Sequence, residues 1–353
     1  MTSAHFLRIT PFVLAALAAH LAAQTTVSVP CNLDNTLYES ATGALSNGLG
    51  AGIFAGVNAN NEKRRALVRF DVAGSLPAGA KVLAASLTVN VVQSTAFLPV
   101  NVAGHRVLQA WGEGTSIALG GGGGGAPSTA GDATWLHSLY PSTFWSTAGG
   151  DFTATPSFTM STPSFGLGTS PIAPGTVIDV QFWLDNPAQN FGWLLKTDEL
   201  FPSTARRMDS RQGTVKPSLS VTYMVPGDVG IWGTGCPVGA GTFGFAFVGA
   251  PIGGSTIQLV QTNGPPVTIG ANFFSLGLDP IGVPLLPACT VYLPLAQEII
   301  PGSIFVLDGS GYASSPFGVP AGYPGYLVVS QSVALVNNLL GFVLSNAGVI
   351  DLL

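Results

Sequence analysis

Residues 65–72 read RALVRFDV, and after a short LPAGA turn residues 81–91 read KVLAASLTVNV. In an extended chain successive side chains point to opposite faces, so Ala66, Val68, Phe70 and Val72 make one apolar row while Leu67, Arg69 and Asp71 face the other way. A period of two over this length demands a half-buried strand, with Arg69 and Asp71 placed to pair on its outer face. The rest of the chain is punctuated to match. Its 353 residues hold 46 glycines and 26 prolines, and only 8% are charged. Turns at that density, with Val, Thr, Phe and Leu between them, predict an all-β protein. Helical periodicity is weak, and its best candidate is residues 294–300.

The length suits two domains. All eleven basic residues beyond Arg8 lie between Lys63 and Lys216, and none follows. Residues 224–353 therefore hold Asp228, Asp279, Glu298, Asp308 and Asp351 with no base. The expected division is a signal peptide over residues 1–23, a first β-sandwich over 24–224, a Pro/Gly linker over 225–235 and a second β-sandwich-like module over 236–353. The signal-peptide reading rests on Arg8, the apolar run 9–21 and the small residues Ala22 and Ala23, and it implies secretion or display at the cell surface. No later stretch is long and apolar enough for a membrane span, because Asn337 and Asn338 break the run 333–344.

An exported chain can form disulfides. Cys236 and Cys289 fall in the same half and are expected to pair; Cys31 is left as a buried free thiol or a site of intermolecular pairing. The glycine run 120–125 reads as a mobile surface loop, since no strand-then-helix context or following lysine makes it a phosphate cradle. No GxSxG, HExxH or CxxC motif appears, so serine hydrolase, zinc protease and thiol redox chemistry lack support. Glu113 and Asp151 have no spacing that marks an acid/base pair and suit turn or capping roles. His105 and His137 are isolated. No cofactor is implied, beyond a structural calcium that Asp34, Asp132 or Asp151 with loop carbonyls would hold.

Several motifs occur in one order: residues 36–56 (TLYESATGALSNGLGAGIFAG), 64–91, AWGEGTS at 110–116, ATWLHS at 133–138, FWSTAGGDF at 144–152, 177–196 (VIDVQFWLDNPAQNFGWLLK), then RRMDSRQG and KPSLSVTY. Together they resemble the DNRLRE domain, a secreted jelly-roll-like β-sandwich that includes carbohydrate-binding modules for acidic polysaccharides. Where that family has Ser-Arg-Glu, this chain has Ser210-Arg211-Gln212. The second module is similar to a β-rich C-terminal domain of large secreted bacterial proteins with no known activity.

The resemblance implies a non-catalytic module that binds an anionic polysaccharide. Arg64, Arg65, Arg206, Arg207 and Arg211 are the expected guanidinium contacts, if the two arginine stretches share a face. Trp135 and Trp145, in Ser/Thr/Pro-rich sequence, are the expected stacking rings, while Trp183 and Trp193 read as core. Net charge −5 argues against nucleic acid as partner. A structural protein of the cell surface or matrix, making protein contacts through both modules, is the alternative, and a polysaccharide lyase or hydrolase the less favoured one.

Overall fold

The computed structural model describes residues 24–353; the signal-peptide reading lies outside them. The chain is all-β, built of antiparallel sheets, as the alternation and turn density demand. Among the described residues no helix is long and apolar enough to cross a membrane.

The first module is a sandwich whose two sheets share strands. The opening strand Thr25–Tyr38 pairs with Ser218–Met224 through Pro30 and then, past an irregularity between Cys31 and Leu33, with Lys63–Phe70. Proline has no N–H to donate, so Pro30 sits where the strand leaves one ladder for the other. One sheet continues through Lys81–Ser94 and Arg206–Asp209 to Gly52–Val57; the other continues through Trp193–Lys196 and Val100–Arg106 to Phe158–Thr162. Ala66, Val68, Phe70 and Val72 all enter the core between them, with Leu87, Val89, Val91, Val102, Met160, Trp183 and Trp193. Arg69 and Asp71, however, do not pair. Arg69 donates to Asn32 Oδ1 at 3.4 Å, and Asp71 instead caps the turn Val72–Ser75 by accepting from Gly74 N–H at 3.0 Å.

The helix falls elsewhere than expected. Residues 294–299 form no helix, whereas Pro174–Asp185 does, with proline at its start and Thr176, Asp179, Val180, Trp183 and Leu184 buried. The buried carboxylate hid this periodicity, because a core-facing Asp reads as polar. Its cost is met locally: Asp179 accepts from Trp193 Nε1 at 2.7 Å and from Ser157 Oγ, with Arg106 Nη1 at 3.4 Å.

The second module packs a five-stranded sheet, in the order Val229–Trp232, Phe342–Asp351, Leu327–Leu335, Ile269–Ser275, Ile300–Val306, against a three-stranded one of Gly244–Val248, Thr256–Thr262 and Ala313–Gly318. Phe245, Phe247, Ile257, Leu259, Phe274 and Ile350 fill the space between. Cys236 and Cys289 are disulfide-bonded, and Cys31 is a buried free thiol. Part of the stretch read as a linker is the strand Val229–Trp232. Leu83 and Met224 of the first module are buried in one cluster with Leu293, Val329, Ala347 and Val349 of the second. The chain between the modules is thus bound into the second sheet on one side of a shared apolar contact.

Candidate functional site

The outer face of the sheet containing Lys63–Phe70 is divided in two. Over one half, residues 107–157 make a long excursion that buries Leu37, Leu67, Leu194, Val107, Trp111, Trp135 and Trp145. Both tryptophans expected to be exposed are therefore interior, at 8% and 5% accessibility. The loop supplies its own apolar partners, and Trp145 Nε1 donates to Thr134 O at 2.9 Å. A Ser/Thr-rich flank marks the irregular backbone here, and the rings themselves are covered.

The arginines are also spoken for, with one exception. Arg64, 4% exposed, lies over the Tyr38 ring at 5.0 Å, pairs with Glu62 at 2.9 Å and donates to Gly123 O at 3.3 Å. With Tyr38 Oη donating to Gly122 O at 2.7 Å, it fastens down the glycine run, whose turns close through Gly122 N–H to Leu119 O and Gly125 N–H to Gly122 O. The expected mobile loop is a docked one. Arg65 forks onto Glu199 at 2.7 and 2.8 Å, donates to Gly149 O at 2.8 Å and covers the Trp135 ring at 4.7 Å. Gly149, at φ +91°, allows this approach, since a Cβ there would stand 2.4 Å from Arg65 Nη1. Arg206 has no accessible surface and donates to Pro163 O, Thr204 O and Leu98 O. Arg211 forks onto Glu113. These geometries correct the expectation of one guanidinium groove: buried cations must be paired, and this module pairs them with its own carboxylates and carbonyls. The Arg207 side chain, alone among the five, forms no hydrogen bond or ion pair within the described residues.

Asp151 caps a turn, whereas Glu113 is the ion-pair partner of Arg211. Glu113 also accepts from Asp34 N–H at 3.0 Å, and Asp151 accepts from Ser146 N–H at 2.8 Å and Thr147 N–H at 3.0 Å. Asp34, without accessible surface, has its carboxyl pushed up to about 7, chiefly by burial and further by the charge of Glu113, against the opposing N–H of Arg211. Among the described residues no three His, Cys, Asp or Glu side chains converge as a metal site. The three aspartates considered for calcium each accept a protein N–H through one oxygen, while Asp34 Oδ1 and Asp132 Oδ1 are buried without a hydrogen-bond partner.

The other half of the same sheet face is open. Asn101, Ala103 and His105 from Val100–Arg106, Thr159 from Phe158–Thr162, and Lys196 line a groove of about 470 Å³, rimmed by Asp198, Phe201 and Thr204. Alternation puts them there, because Val102 and Met160 on the same strands face the core. His105 Nδ1 meets Thr153 O at 2.8 Å; a carbonyl only accepts, so Nδ1 carries the proton and Nε2 is left as an acceptor. Burial lowers its pKa, favouring the uncharged ring. Lys196 Nζ lies 3.5 Å from Glu199, the carboxylate that Arg65 grips. The groove thus offers uncharged donors and acceptors, one partly neutralised cation, the exposed carboxylate of Asp198 and an aromatic rim at Phe201, 64% exposed. Sequence reading passed over Asn101, Thr159 and Lys196; the signal available was the polar row alternating with Val100 and Val102.

A second depression, of about 440 Å³, lies on the outer face of the opposite sheet, lined by Ala51, Asn90, Val92, Arg207, Asp209 and the turn 212–215. No protein-family model matches the chain, and no curated protein matches it in sequence.

Proposed function

We propose that this is a secreted, non-catalytic module protein, its first sandwich a DNRLRE-like domain that binds a polysaccharide of the acidic class along the open half of the sheet. The open groove beside a covered half carries the reading. At about 470 Å³ it has room for a sugar ring, is floored by the sheet, and is furnished with side-chain amide, hydroxyl, imidazole and ammonium groups of the kind that bind ring hydroxyls and acidic substituents. Phe201 at its rim supplies a face for stacking. Retardation in native gels cast with alginate, pectate, a sulfated polysaccharide and neutral glucan tests it. Retardation by an acidic polymer should be lost in the pair Asn101→Ala/Thr159→Ala and weakened in Lys196→Ala; retardation that these changes leave intact would overturn the groove as the site.

A structural role making protein contacts is the second reading, favoured by one observation in the second module. Ile304 and Val306, at 69% and 68% exposure, pair with Ala271 and Ile269 on an edge strand, with exposed Leu335 next in register. Such an apolar row on a base-free module suits a protein partner. Sedimentation that shows concentration-dependent assembly, abolished by Ile304→Glu, would favour it over glycan binding.

A further inference from the structure

The strand Phe342–Asp351 turns two faces to different surroundings. Ile350 enters the core between the two sheets of the second module, whereas Ala347 and Val349 join Leu83 and Met224 of the first module in one apolar cluster. Alternation therefore points Asp351, two residues on from Val349, along the same row and into the contact between the modules. Leu327, its cross-strand partner, packs against that cluster too. Asp351 has no accessible surface, and neither of its carboxylate oxygens has a hydrogen-bond partner. Such a carboxylate is costly to ionise where it stands.

One base faces it. Lys81 pairs in register with Met224, so its side chain leaves the first module on the same face as that residue. Its Nζ reaches the second module, 3.8 Å from where a Cβ on Gly325 would stand. Gly325 N–H in turn donates to Leu352 O at 2.7 Å, one residue from Asp351. Lys81 makes no ion pair within 4 Å among the described residues. The second module has no base of its own, so the first module supplies the cation at this contact. The other titratable groups beside Asp351 are Asp228, whose carbonyl accepts Asp351 N–H at 3.2 Å, and Tyr323 and Tyr326 on the exposed turn before Leu327. Burial is the largest influence on the carboxyl, Lys81 opposes it and the charge of Asp228 adds to it, so that Asp351 is pushed up to about 6.

We propose that the contact between the modules is a proton-gated latch, closed while Asp351 carries its proton and loosened as it ionises, with Lys81 the one base that offsets the charge. Opening gives the carboxylate its water, and the proton goes to solvent; no covalent bond changes. A carboxyl that holds its proton more tightly when docked must dock less tightly once pH exceeds its exposed value near 4, and the loss is complete above about 6. The latch shares no residue with the groove, and its response to pH stands whether or not the groove binds a glycan.

The test labels the thiol of Leu83→Cys in the full chain with a methanethiosulfonate between about pH 4 and 8. Rates are read by peptide mass and divided by those of an unfolded peptide of the same sequence. Cys31, buried in the first core, reports in the same sample on opening of that module itself. Relative labelling at position 83 should rise by up to about a hundredfold across this range, the ratio of the exposed and docked proton affinities, and beyond any rise at Cys31. Adding Asp351→Asn should flatten the profile, and adding Lys81→Met should steepen it, because the opposing cation is gone. A flat profile in the parent, a rise only in step with Cys31, or a rise that survives Asp351→Asn overturns the latch. A second measurement holds should Asp351→Asn fail to fold: the carboxyl carbon resonance of Asp351 should titrate near 6 in the wild type and closer to 4 in Leu83→Ser/Met224→Ser, where the contact is weakened. Titration near 4 in the wild type, or the same value in both, would show that the first module does not bury this carboxyl, and the latch would fall.

Discussion

The two modules bury polar groups by opposite means. The first buries carboxylates against arginines: Arg65 with Glu199, Arg211 with Glu113 and Arg106 with Asp179 join strands to loops and to the helix. The second has no base at all and uses neutral groups. Gln261 Nε2 donates to Asn272 Oδ1 at 3.0 Å, Asn272 Nδ2 donates to Ser303 Oγ at 3.0 Å, and Gln331 Nε2 donates to Thr290 O and Ser345 O at 2.7 Å. Asn346 serves Phe245 N–H and Phe245 O in the same way. Its one covalent tie spans 53 residues. Ion pairs answer to the removal of a partner charge and to pH, whereas a disulfide answers to reduction and an amide network to neither. The modules should therefore fail under different insults.

The largest effect is expected from breaking a pair in the first module. Glu199→Gln leaves the buried Arg65 guanidinium without its counter-charge and should cost about 3–5 kcal/mol, read as a lowered denaturant midpoint. A change confined to a few tenths would mean that water reaches the pair freely. Next in size is the disulfide: Cys236→Ala/Cys289→Ala should destabilise the second module by about 4 kcal/mol on the loop-entropy model. Reducing agent should mimic it, leaving the first module's transition in place. Loss of both transitions together would show that the apolar contact of Leu83 and Met224 with Val329 and Val349 couples the modules.

A smaller effect separates them by pH. Asp34 in the first module is pushed up to about 7 by burial, and Asp351 in the second up to about 6, also by burial, with Lys81 opposing the shift. A carboxyl whose folded pKa is raised binds its proton more tightly when folded. Its contribution is complete below its unfolded value near 4 and is lost as pH rises through 7 for Asp34 and 6 for Asp351. Asp34→Asn should flatten the decline of the first transition between pH 4 and 8, by at most about 4 kcal/mol, and leave the second unchanged. A decline that persists in Asp34→Asn would assign it elsewhere. The smallest effect on stability, within about 0.5 kcal/mol, is expected at Lys196→Ala and Arg207→Gln; melting curves that move further would show that these groove and depression side chains also hold the fold.

The all-β class, the core row Ala66, Val68, Phe70 and Val72, and the Cys236–Cys289 pair were legible because each follows from local rules: period two, turn chemistry, and two cysteines in the same half of the chain. The candidate sites were not. Arg65 and Arg211 are polar and charged in sequence, and nothing local says that Glu199 and Glu113 will meet them. Residues 65 and 199, or 113 and 211, become neighbours only when distant strands and loops fold together. Trp135 and Trp145 sit in sequence that looks like surface, yet their own excursion buries them.

The amino-acid order by itself determined the alternation, the turns and the sheet-forming segments, because a strand's two faces are fixed by the chain's covalent geometry. Tertiary structure alone decided which charges cancel, which half of a sheet face lies open and which arginine is left over, because electrostatic pairing and burial depend on distances between residues far apart in the chain.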